Sequence, residues 1–448
     1  MPYIPTSPQE REEMLRAIGV DQVSDLFQDI AEEMQLKAEL KLPAPLSEYE
    51  LVKHMNKLAA KNVNLDTVVS FLGAGAYDHI VPAVIKHLVG RGEFLTAYTP
   101  YQAEISQGVL QAIFEFQTLI ASLTKMDVAN ASMYDGATAL AEGMIMAVAQ
   151  TNKKKVLLSS TVHPEYREVL KTYAWAREIE IIEIPYTKEG STDLDFLDQT
   201  LTNDFAAVII QNPNFFGKIE KLKTLIDRVK STKALSIVCA DPISLGILEA
   251  PGKLGVDIVV GEGQSLGMPL SFGGPYLGFI ATTEKLIRRI PGRIVGLAKD
   301  QHGKDGFVLT LQAREQHIRR EKASSNICSN QALCALTAII YLSALGKKGL
   351  KEVAEHCISK AHYAQKVLTQ IDGVELAFPQ GPSFKEFVVK TKEDIACIND
   401  RLFQAGILGG LDLGRFYPEL KNHMLICVTE ARSKTEIDLL KQVWEGLA

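Results

Sequence analysis

Three stretches of the sequence carry residue types that can do chemistry together. The first is Met133-Tyr134-Asp135-Gly136-Ala137-Thr138, followed by apolar residues at helical spacing: Leu140, Ala141, Met144 and Val148. A small-residue turn that opens a helix at Gly136 and Ala137 presents unpaired N–H groups and the positive end of the helix dipole, which suits a phosphate. An Asp-capped helix with no ligand reads the same way, and is the commoner case. The second is Asp241, at the end of the apolar run Ser236–Ala240. Ligands of open α/β sheets sit at such strand ends. A carboxylate there can pair with a protonated pyridine nitrogen and strengthen pyridoxal phosphate as an electron sink; it can equally cap the next turn. The third is His163 in Ser159-Ser160-Thr161-Val162-His163-Pro164. Its ring could stack on such a cofactor, although a lone loop histidine is as readily ordinary surface.

These residues need a sheet to bring them together. Short β-branched runs fall at Lys155–Ser159, Glu178–Ile184, Ala206–Gln211, Ser236–Ala240, Asp257–Val260 and Leu277–Ala281. Several are apolar on both faces, as buried parallel strands are. Helical patterns between them include Pro164–Ala176 and Ile219–Ser231. Strand and helix in alternation predict a large α/β domain over residues 66–320, a mostly parallel open sheet with right-handed crossovers. Before it, residues 1–65 read as a helical arm. Ser7 caps a helix from Pro8 to Ile18, Leu40 to Pro45 is a proline-containing joint, and Leu46–Asn62 is amphipathic. After it, residues 321–448 read as a smaller α+β domain. Its helices are Asn330–Leu345, Gly349–Ile371, Lys392–Gln404 and one from Lys434; its strands are Ser383–Lys390 and His423–Val428.

Composition narrows the function classes. With 48 basic and 54 acidic residues in 448, the net charge is -6, which gives no electrostatic reason to expect nucleic acid or an anionic membrane as partner. The six cysteines include no CxxC pair, so free thiols are expected over a zinc site or a disulfide framework. The nine histidines do not cluster at metal-ligand spacing, and no metal is expected. Gly73-Ala74-Gly75-Ala76 fails the dinucleotide fingerprint, because position 78 is Asp78. No stretch reads as a membrane span, and the first residues read as neither signal nor transit peptide; a cytoplasmic protein is the expectation.

The decisive feature is a missing amine. A covalent hold on pyridoxal phosphate needs a lysine, and none occurs between Lys253 and Lys285. The run Gly261-Glu262-Gly263-Gln264-Ser265-Leu266-Gly267-Met268-Pro269-Leu270-Ser271-Phe272-Gly273-Gly274-Pro275 nevertheless resembles the glycine-rich, lysine-bearing loop of glycine decarboxylases, the P-proteins of the glycine cleavage system. With Gly273-Gly274-Pro275 set on the family's Gly-Gly-Pro, Pro269 also matches. Gln264 then falls where the lysine belongs and Gly263 where its histidine belongs. Phe71–Tyr77, Tyr98–Gly108 (YTPYQAEISQG), Gln211–Asn214, Pro291–Gly296 and Arg314–Ile327 (REQHIRREKASSNI) are similar to the N-terminal half of that family. The resemblance covers nearly the whole chain.

It implies the fold of type I pyridoxal phosphate-dependent transferases. It further implies an oxidoreductase of glycine catabolism, a glycine dehydrogenase (aminomethyl-transferring, decarboxylating) split over two chains, of which this is the first. The cofactor would be held covalently by the second subunit and not by this chain, which alone would be inactive. Glycine would lose CO2 and its aminomethyl group would pass to the lipoyl arm of the H-protein. The assembly would be a heterodimer or heterotetramer. In one reading this chain completes a shared site, with Tyr98, Tyr101 and Gln102 reaching across and Arg314 and His317 meeting a carboxylate or phosphate. In the other it is a non-catalytic scaffold or regulatory subunit whose own cofactor pocket, around Gly136, Ala137, His163 and Asp241, is vestigial.

Overall fold

The computed structural model describes residues 5–38, 40–95, 105–323, 325–327 and 331–446. They form two compact units, Met1–Val63 and Asn64–Ala448. In the first, helices Pro8–Ile18 and Glu48–Ala59 each open with a capping box, Ser7 with Glu10 and Ser47 with Glu50. Each box satisfies two N–H groups that the first turn would leave unpaired.

The second unit is built on a seven-stranded sheet. Its strands are β1 (Val128–Ala129), β2 (Lys155–Ser159), β3 (Glu180–Ile184), β4 (Phe205–Asn212), β5 (Leu235–Ala240), β6 (Ile258–Glu262) and β7 (Gly278–Thr282). They lie in the order β1-β7-β6-β5-β4-β2-β3. Strands β2 to β6 are parallel, while β7 runs antiparallel to both β6 and β1. The sheet is therefore mostly parallel, as the sequence predicts. Alternate side chains bury on opposite faces. Leu157, Val208, Ile210, Val238, Val259 and Phe279 join the core on one side; Val156, Leu158, Ile209, Ile237, Val260 and Ile280 join the core on the other. A strand covered on both faces has no polar face to show, which is why these runs read as continuous apolar segments. Helices α1 (Gly136–Thr151) and α2 (Pro164–Arg177) cover one face, and α3 (Leu222–Lys230) and α4 (Ala332–Leu368) the other.

Three features depart from the sequence expectations. First, Val69–Ser70, assigned above to the large α/β domain, pairs in parallel with Ile407–Leu408, and Phe71 lies in the core of the C-terminal layer. The chain reaches the large sheet only after contributing to the last layer. Second, an antiparallel hairpin, Ile294–Lys299 with Asp305–Thr310, was not anticipated. Third, α4 is long and apolar enough by composition to cross a membrane. It is interrupted at Gly346, whose φ of 60° is left-handed, and Ala335, Ala338, Tyr341 and Leu350 are buried in the core. The C-terminal layer is a four-stranded sheet containing Glu386–Lys390 and His423–Cys427, covered by helices Ile395–Gln404 and Lys434–Trp444.

Candidate active site

The C-terminal ends of the parallel strands open onto a small cavity. Gly75, Tyr77, His163, Tyr166, Asp241, Glu262 and Gln264 are among its lining residues. Of the residues singled out in the sequence as a cofactor pocket, His163 and Asp241 line it; Gly136 and Ala137 do not, although the Gly136 N–H bonds to Glu262 in its wall. What they do to one another is not what the sequence predicts.

Helix α1 opens at the cavity. Asp135 is its cap, accepting the Thr138 N–H at 2.7 Å. The first free amide, Gly136 N–H, donates to Glu262 Oε2 at 2.8 Å. Glu262 Oε1 accepts from Gln264 N–H at 2.9 Å and Leu277 N–H at 3.0 Å. One carboxylate thus engages the helix terminus and two loop amides. The fit is close: a Cβ on Gly136 would lie 3.0 Å from Glu262 Cβ. Burial raises the Glu262 carboxyl to about 7, against the lowering effect of its three N–H donors. Ala137 is buried in the same first turn.

Asp241 is committed on both oxygens. Oδ1 accepts the N–H groups of Ile243 (2.8 Å) and Ser244 (3.3 Å), capping the following turn. Oδ2 pairs with Lys385 Nζ at 2.5 Å. Lys385 is 2% exposed, lies 3.4 Å above the centre of the Tyr77 ring and 3.3 Å from His79 Nε2. Burial lowers the Lys385 pKa, yet the nearby Asp241 and buried thiols outweigh it and the net shift is upward.

His163 does not present a free ring. Its Nε2 meets the Ala74 carbonyl at 2.8 Å and its Nδ1 accepts the Glu165 N–H at 3.2 Å, an arrangement that requires the neutral Nε2–H tautomer. The ring stacks on Tyr166 with centroids 4.6 Å apart. Burial lowers its pKa.

Gln264, wholly buried, uses its amide as a piece of backbone. Its oxygen accepts Tyr77 N–H at 2.9 Å, and its nitrogen donates to the carbonyls of Tyr77 (3.0 Å) and Met268 (2.8 Å). It ties the 73–77 loop to the sheet. Glu386 holds the same loop from the other side, accepting Ala74 N–H at 2.7 Å and the Tyr77 hydroxyl at 2.9 Å.

The other sequence candidates lie elsewhere. Arg314 donates to the carbonyls of Ile290 and Gly292, so it holds a turn. His317 is exposed beside Glu315, 3.6 Å away. Neither lines the cavity. Tyr98, Tyr101 and Gln102 fall outside the described residues. The five described cysteines are free thiols. His79, Cys357 and Glu430 do gather at metal-ligand spacing, although the sequence separates them widely. Their atoms are spent on one another: His79 Nδ1 meets Glu430 Oε2 at 2.6 Å, and Cys357 Sγ donates to the same oxygen at 3.4 Å.

A mostly parallel sheet with one antiparallel strand, a capped helix opening beneath its strand ends and a strand-end aspartate define the fold of type I pyridoxal phosphate-dependent enzymes. Sphingosine-1-phosphate lyase of Burkholderia pseudomallei shares it, with a TM-score of 0.67 over 92% of each chain at 14% identity. Residues 1–444 match the model of the glycine cleavage system P-protein, and the chain belongs to that family. A crystal structure of glycine decarboxylase (P-protein) of the glycine cleavage system, in inhibitor-bound form, matches over 100% of both chains with a TM-score of 0.91 and 42% identity. The probable glycine dehydrogenase (decarboxylating) subunit 1 of Desulforamulus reducens is 57% identical over 98% of both chains, and that of Moorella thermoacetica 56% over 100% of both.

The pocket of this chain does not fit the cofactor of its fold class. Position 264 has an amide where a covalent bond needs an amine, the Gly136 amide at the helix terminus is engaged by Glu262, and the one amine at Asp241, that of Lys385, is held in an ion pair. The remaining cavity is about 40 Å³, room for a few waters, whereas small-molecule sites enclose roughly 300 Å³ or more.

Proposed function

We propose that this chain is the first subunit of a two-chain glycine dehydrogenase (decarboxylating), and that the chemistry takes place on a second subunit that holds pyridoxal phosphate through a lysine. The observation that carries this is Gln264: in a chain that otherwise keeps the P-protein family's length and fold, the position that needs an amine has an amide hydrogen-bonded into the loop. An amide nitrogen cannot form the covalent link.

On this reading the chain's contribution is to build and hold loops at a shared site. Gln264, Glu386 and the pair His79–Glu430 fix the segment from Gly73 to Ile80 through six hydrogen bonds. Tyr98, Tyr101 and Gln102 are the proposed reach towards the second subunit's site. The aminomethyl group would leave on the lipoyl arm of the H-protein, and the complex would be a cytoplasmic heterodimer or a pair of them.

Decarboxylation of labelled glycine, with a lipoylated carrier present, tests the reading. Neither chain alone should release CO2 above background, and the co-expressed pair should. Turnover by this chain alone would overturn it. In the pair, Tyr101→Ala is expected to lower kcat by roughly tenfold or more, the size of one lost positioning contact; an unchanged kcat would remove Tyr101 from the site.

A further inference from the structure

The pocket is more than a cofactor site that has lost its lysine. Two polar seats that pyridoxal phosphate would use are filled by side chains, an acid at the helix N-terminus and a base at Asp241. The N-terminus of α1, where a phosphate would dock, has the Glu262 carboxylate on Gly136 N–H, with Gln264 N–H and Leu277 N–H completing the carboxylate's shell. The Asp241 oxygen that would face a protonated ring nitrogen has the Lys385 ammonium at 2.5 Å. The space that a ring would need is closed by Gln264, bonded to Tyr77 across the cavity.

We propose that Glu262 and Lys385 are internal substitutes for the phosphate and the ring nitrogen, so that the pocket is locked against the cofactor and restoring a lysine at position 264 alone would not reopen it. The two substitutes lie on different parts of the chain, Glu262 at the end of β6 and Lys385 beside the C-terminal strand Glu386–Lys390. Together they balance one another: an acid for an anion, a base for a cation. A buried donor or acceptor left unpaired is costly; Glu262 pairs the Gly136 amide and Lys385 pairs Asp241 Oδ2. Glu262 is the gate, because a phosphate cannot approach the Gly136 amide while a carboxylate occupies it at 2.8 Å. The inference rests on the proposed division of labour between subunits only in that both assign no chemistry to this pocket.

The test uses the full-length chain at about pH 8, alone and with its second subunit. Pyridoxal phosphate is added, imines are fixed with borohydride, and the peptide containing position 264 is quantified by mass spectrometry. Gln264→Lys should label no more than a surface lysine. Gln264→Lys combined with Glu262→Ala should label roughly tenfold more, as expected when one charge–dipole seat becomes free. Because the double variant can fail to fold, Glu262→Ala alone is also melted with and without inorganic phosphate. Phosphate should raise its Tm while leaving that of the unaltered chain unmoved. Equal labelling of the single and double variants, or an equal phosphate response of the two chains, overturns the lock. Stoichiometric labelling of the unaltered chain within the complex would instead overturn the division of labour.

Discussion

Glu262 and Gln264 stand two residues apart at the end of one strand, and both were in view as letters of a glycine-rich run. Only Gln264 could be assigned from the sequence, because its meaning is an absence at a position fixed by neighbouring glycines and a proline. The role of Glu262 depends on Gly136, 126 residues earlier, and no local pattern links them. The one available signal was its place: like Asp241, it is an acid at the carboxyl end of a parallel strand. Its chemistry makes a prediction. The folded chain raises this carboxyl from 4.5 to about 7, so folding favours the protonated form. The associated stability is fully present below the unfolded pKa and is lost as pH rises through about 7. Glu386, raised to about 6 by burial, acts with the same sign over a lower window. Denaturant midpoints of the unaltered chain should therefore fall between about pH 5 and about pH 8, by at most about 1.4 kcal/mol per pH unit for each group. Glu262→Gln, which cannot ionise, should flatten the upper part of that fall. An undiminished slope above about pH 6 in the variant would show that Glu262 does not titrate there.

Elements were read more securely than their neighbours in space. Lys155–Ser159 is the same five residues in sequence and structure, and Pro8–Ile18 likewise, since continuous apolar runs and a capped, proline-led helix are local signals. Pairing is not local. The strand near 277–281 is as apolar as its parallel neighbours, yet it runs antiparallel. Val69–Ser70 is too short to announce a partner more than 300 positions away. Gly278 shows how such a pairing serves the site. It bonds in both directions with Met133, and a Cβ there would stand 2.2 Å from the Asp135 carbonyl oxygen. The glycine lets the turn that opens α1 lie flat on β7, which sets the height of Gly136 over Glu262. Gly278→Ala must push that turn outward. A cost of about 1–3 kcal/mol is expected, read as a lower urea midpoint. Because the strain is applied at the cap, the amides at Asp135–Thr138 should lose hydrogen-exchange protection before those of the sheet. Unaltered stability and protection would mean the turn gives way freely.

Across the whole of the Asn64–Ala448 unit, the largest feature invisible in sequence is the coupling of its two layers by buried charge. Lys385 belongs to the C-terminal layer and Asp241 to the parallel sheet, 144 positions apart, yet their atoms meet at 2.5 Å. His79 and Glu430 extend the network, with Glu430 held down at about 2 because the His79 hydrogen bond and charge outweigh its own burial. Gly217 brings the layers close elsewhere, where a Cβ would overlap the Glu386 backbone at 1.9 Å. A buried pair of this kind contributes little net stability beyond what an apolar pair would, but breaking it on one side leaves a charge stranded. Lys385→Met should therefore destabilise the fold by about 1–3 kcal/mol, short of the cost for a fully buried pair, because Asp241 lines the cavity and keeps the Ile243 and Ser244 amides. Asp241→Asn placed on top should recover part of that loss, because the stranded charge is gone while the amide oxygen can still accept from Ile243. The coupling from a four-way denaturation cycle is expected at roughly 1–3 kcal/mol. It should change little between low and high salt, as surface pairs do not. Additive losses would show that the two layers are held by their apolar cores alone, and that Lys385 is packed beside Asp241 without depending on it.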